Sequence, residues 1–93
     1  MKKFVIERNL PGAGNLSSEE LQSIAQTSCE VIDGMGNGYQ WVQSFITEDK
    51  IYCIHIAKNE ETVRKHAKLG AFPINSITEV KAIIDPTTST AGV

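Results

Sequence analysis

Cysteine is scarce in this sequence, positive charge is not in excess, and no apolar run is long. Each shortage removes a class of protein. Two cysteines among 93 residues, Cys29 and Cys53, are too few for a disulfide framework. After the basic start only Phe4, Val5 and Ile6 follow before Glu7 and Arg8 intervene. A secretory core needs roughly 7–15 apolar residues and a membrane span about 20, so neither is expected. A reduced, cytoplasmic chain is the expectation. Nine basic residues against eleven acidic ones, scattered along the chain, give a net charge of −2. Such a balance releases few counterions on binding a polyphosphate, so nucleic acid is not an expected partner.

What is present points to one packed domain. The chain is 41% apolar and 22% charged, as folded domains are. Its length leaves room for one modest core, assigned to residues 1–86, with 87–93 of the Thr-rich end as a flexible tail.

Short β-branched and aromatic stretches alternate with helical periodicity. "KFVIERN" reads as a strand ended by the Pro and glycines of "LPGAGN". Ser17 and Glu20 have capping-box spacing, flanked by Leu16 and Leu21 as a hydrophobic staple. Leu21, Ile24, Ala25, Ser28, Val31 and Ile32 then repeat as one helical stripe, which "DGMGNG" ends. "YQWVQSFIT" and "IYCIHIA", joined at "EDK", read as a hairpin, with Trp41, Gln43 and Phe45 on one side of its first strand. Asn59 caps a second helix, Gly70 suits a left-handed closing residue, and "SITEVKAIID" gives a fourth strand ended by Pro86.

The order β-α-β-β-α-β is the ferredoxin-like plan, an α+β fold with a four-stranded antiparallel sheet and two helices on one face. The other sheet face is apolar along strands 3 and 4. A face of that kind needs a cover, which argues for a homodimer packed sheet to sheet, a dimeric α/β-barrel-type assembly.

Three stretches, "FVIERNLPGA", "DKIYCIHIA" and "RKHAKLGAFPINSITEVKAIIDPTT", with their spacing, resemble a family of small bacterial proteins of unknown function that includes a nickel-binding protein. The resemblance covers roughly residues 3 to 88 and implies a ferredoxin-like fold and dimers. It matches Glu7, Arg8, Cys53 and His66 to the family pattern. The nickel-binding relatives carry histidine where Glu7, Arg8 and Phe72 stand here, so this chain resembles the commoner branch with Glu-Arg.

The residues themselves define a candidate metal set of Glu7, Cys53 and His66, with His55 secondary. Cys53 and His55 are two apart on a strand and leave one sheet face, and His66 shares a helical face with Val63 and Ala67. Thiolate and imidazole together suit late divalent transition metals, nickel first given the resemblance. In that reading Arg8 orients Glu7 or meets an anionic ligand. Whether the Glu7 row and the Cys53 row share a face depends on strand register.

Plainer roles stand beside these. Cys53 and Cys29 are read as small core residues, His66 as a core histidine held by one hydrogen bond, and His55 as a surface or interface residue. Glu7 and Arg8 pair with charges such as Glu79 or Lys81 across the sheet, and Trp41 and Tyr39 fill core or interface. The expected function is a small dimeric metal-binding protein. The alternatives are a dimeric α/β-barrel enzyme on a small organic molecule, with His66 and Glu7 as acid and base, or an assembly module without ligand. No paired Cys-x-x-Cys, nucleophile elbow or P-loop is present, and Glu19 and Glu20 at the helix start argue against a phosphate site after "LPGAGN".

Overall fold

Strand β1 (Lys2–Asn9) alternates apolar and polar side chains, and Phe4 and Ile6 on its inner row are buried. Its register fixes the rest of the molecule. Phe4 lies opposite His55, Ile6 opposite Cys53 and Arg8 opposite Ile51 on strand β3 (Lys50–Ala57), so these six side chains leave the same face. Strand β2 (Gln40–Ile46) pairs with the far edge of β3, and β4 (Ser76–Glu79) pairs with the other edge of β1. The sheet is therefore antiparallel in the order β2-β3-β1-β4, with α1 (Ser18–Met35) and α2 (Glu60–Leu69) completing the α+β, ferredoxin-like arrangement expected. This computed structural model describes residues 1–36 and 38–90.

Both helices begin as their sequences dictate. The Ser17 hydroxyl accepts from the Glu20 N–H while the Glu20 carboxylate accepts from the Ser17 N–H, closing the capping box. Asn59 Oδ1 accepts from the N–H of Thr62. The "LPGAGN" loop has a structural use, since it docks on the β2–β3 turn. Gly14 N–H donates to the Glu48 carbonyl, and a Cβ at Gly14 would stand 3.1 Å from the Glu48 Cα.

The core is small and lies between the sheet and the helices: Phe4, Ile6, Tyr39, Ala57 and Val63, with Ile32 and Met35 of α1 and Cys53, Ile74 and Ile77 packed against it. Helix α1 contributes less than its stripe implies. Of its 18 residues Ser28 alone is buried, and Leu21, Ile24 and Ala25 line a cavity instead of closing on the sheet.

Four local expectations are corrected. First, β2 does not alternate strictly, because a bulge at Val42 puts Trp41 opposite His55 and Ser44 opposite Cys53. Trp41, Ser44 and Ile46 thus face the helices, while Gln43 and Phe45 face away. Second, the fourth strand ends at Glu79, not Asp85. After one more backbone bond, Val80 N–H to the Lys3 carbonyl, the chain leaves the ladder, and Ile83 and Ile84 are 66% and 80% exposed. Third, Gly70 has right-handed φ −89°, and Ala71 takes the left-handed place at φ 57°. Gly70 is needed for another reason, since a Cβ there would collide with the Phe72 ring. Fourth, Cys29 is exposed rather than packed.

Candidate functional site

The inner row of β3 carries Ile51, Cys53, His55 and Ala57 up to the underside of α2. Helix α2 in turn presents Val63, His66 and Ala67, spaced three and four apart, as its one buried face. His55 and His66 therefore meet inside the protein, 3% and 4% exposed, with ring centroids 5.1 Å apart. His55 is thus an interior residue on the helix side, not a surface or interface one. Tyr39 stacks on His66 at 5.0 Å and meets His55 edge-on at 5.3 Å, and Phe72 also stacks with His66 at 5.6 Å.

Their hydrogen bonds differ. His66 Nε2 shares a 3.1 Å bond with the buried Ser28 hydroxyl of α1. Among the described residues, His55 Nδ1 is buried with no partner at all. Burial, assisted by the neighbouring His66, lowers the His55 imidazole from its ordinary value to about 4. Burial also lowers His66. Both rings are neutral at pH 7, the form in which imidazole accepts a proton or ligates a metal.

Cys53 stands next in the row. The Trp41 indole N–H donates to Ser44 Oγ at 2.9 Å, and the Ser44 hydroxyl donates to Cys53 Sγ at 3.0 Å, a chain that exists only because of the β2 bulge. Burial raises the Cys53 thiol, partly offset by the Ser44 bond and the charge of Arg8. It is held as a thiol rather than an activated thiolate.

Glu7 is not in this group. It leaves the opposite face of the sheet, where its carboxylate accepts from Lys50 Nζ and from Ser76 Oγ. Lys50 lowers its pKa through that bond and through its charge. The expected set Glu7, Cys53 and His66 is thus divided by the sheet. The expected pairing of Glu7 with strand-4 charges is also corrected, since Glu79 takes Lys2 and Lys81 instead. Arg8, next along the strand, points inward. Its guanidinium lies 5.3 Å from the centroid of the Phe72 ring, and its Nε is buried without a hydrogen bond.

These groups line one cavity of about 240 Å³ between the sheet and the helices, walled by Trp41, Phe72, Ile24 and other apolar side chains. Ser28, Ser44, Cys53, His55 and His66 supply its polar points, and Arg8 its full charge. The sequence reading missed that Arg8 enters this cavity. The signal was its place two residues beyond Ile6, in the row that also holds Phe4. For a transition metal the donors fit in kind, being two neutral imidazoles and a thiol with one ring nitrogen unengaged. They do not fit in number, because no three His, Cys, Asp or Glu side chains among the described residues converge closely enough to hold an ion.

The sequence pattern of the family described as "Nickel responsive protein SCO4226-like" matches residues 4–80. Among solved structures, the chain is similar to SCO4226 from Streptomyces coelicolor A3(2), with a TM-score of 0.75 at 18% identity, covering 88% of this chain and 99% of that one. At that identity the likeness shows the fold. No curated protein matches.

Proposed function

We propose that this chain, which belongs to the SCO4226-like family of nickel responsive proteins, is a small homodimeric binding protein of the cytosol whose ligand enters the cavity between sheet and helices. The observation that carries this reading is the buried pair His55 and His66 beside Cys53, with His55 Nδ1 unengaged. A ring nitrogen buried without a partner costs on the order of 1–3 kcal/mol, a cost the fold carries beside this cavity. For the ion that the family name suggests, Cys53, His55 and His66 are donors of the right kind but do not converge as a three-ligand set, so binding there would need further donors.

The test is metal analysis and nickel titration of protein purified without a histidine tag. Stoichiometric uptake that His66→Ala and His55→Ala each remove supports the ion. Less than a tenth of an equivalent of any transition metal, with no spectral change on adding nickel, rejects it. A second reading is favoured by the apolar lining and by the cation within it: the cavity takes a small organic molecule. In the enzyme form of that reading His66 acts without Glu7, which the sheet holds away.

The open face of the sheet supports the dimer. Val5, Tyr52, Ile54 and Ile56 are only partly covered, and Phe45 is 50% exposed. A second copy placed there would leave each cavity, on the other side of its sheet, intact.

A further inference from the structure

Among the described residues that line the cavity, Arg8 is the one that bears a full charge at every ordinary pH. It has no carboxylate partner there, its own neighbour Glu7 being engaged with Lys50 on the far side of the sheet. An arginine facing an apolar cavity without a counterion is costly, and removing that cost requires an anion. The guanidinium lies over the Phe72 ring, and among the described residues no side-chain hydrogen bond engages it, which leaves its terminal N–H groups for the two parallel bonds a carboxylate accepts. A bare divalent cation meets the opposite field at this place. A phosphate needs more cationic donors than one arginine supplies.

We infer that the cavity binds a small organic carboxylate with a flat apolar body, its carboxylate on Arg8 and its body between the aromatic and aliphatic walls that include Trp41 and Phe72. Size agrees. A dry protein cavity of about 150 Å³ accepts benzene, and about 240 Å³ leaves room for a ring with a short acid arm. The inference rests on the second reading above, that the cavity is an organic-ligand site, and competes with an ion in the same cavity.

Trp41 is the single tryptophan of the chain and lines the cavity, so its fluorescence reports occupancy directly. The experiment titrates metal-free, full-length protein with phenylacetate and, separately, with its neutral isostere phenylacetamide, following Trp41 emission and calorimetric heat. The expected result is saturable binding of one phenylacetate per chain, at least about tenfold tighter than phenylacetamide. In Arg8→Gln that preference disappears while phenylacetamide binding persists, and Arg8→Lys keeps part of it, because a point charge lacks the two-bond geometry. Equal affinity for acid and amide overturns the anion and leaves the organic-ligand reading standing. No saturable response to either removes both. Should Arg8→Gln fail to fold, the acid-to-amide ratio of the unaltered protein still decides.

Discussion

At His55 the ionic state is set by where one side chain is placed. Its folded pKa of about 4 lies below the roughly 6.5 of an exposed imidazole, so between those values the unfolded chain binds the extra proton. Stability is therefore complete above about pH 6.5 and falls as pH drops toward 4. The loss expected from this residue is about 2 kcal/mol by pH 5 and about 3 kcal/mol by pH 4. Urea unfolding from pH 7 to 5 checks it, and His55→Phe, which has no proton to gain, should flatten most of that slope. The pairing of Cys53 with His55 was legible in the sequence because two positions on one strand share a face. That Arg8 lies in the row of Phe4 and Ile6, and Glu7 in the other, was legible by alternation; which of the two rows joins Cys53 was not, since a shift of one residue in the β1–β3 register exchanges them.

Elements were legible where local chemistry decides them and obscure where packing does. The caps at Ser17 and Asn59 are written in hydroxyl, amide and glutamate spacing, and Ser17→Ala should cost about 1 kcal/mol in thermal or denaturant unfolding. The bulge at Val42 carries no such signature, and strict alternation placed Ser44 and Phe45 on the wrong sides. At the end of α2 the glycine was visible, but not its purpose. It makes room for Phe72 rather than turning the chain left-handed. Gly70→Ala should therefore displace the Phe72 ring, costing about 1–3 kcal/mol and loosening the stack on Arg8 and His66. Nuclear magnetic resonance shifts of the His66 ring protons report that displacement, and unchanged shifts with unchanged stability would refute it.

For the molecule as a whole, element order and hydrophobic period sufficed for the architecture. They could not reveal a cavity, whose existence depends on how far α1 stands off the sheet. The apolar open face carries a prediction at this scale. Sedimentation should give twice the 10.2 kDa chain mass, and Ile54→Arg, set in the centre of that face, should return single chains without lowering helix content. A concentration-independent monomer in the unaltered protein would reject the dimer.

The sheet order has a further consequence during synthesis. Strand β1 emerges from the ribosome before both of its neighbours, β3 and β4, which are made much later. Until Ser76–Glu79 has been translated, one side of the central strand keeps its backbone groups unpaired. Nascent or truncated chains ending before residue 76 are thus the species most prone to joining edge to edge, and those a chaperone would need to shield.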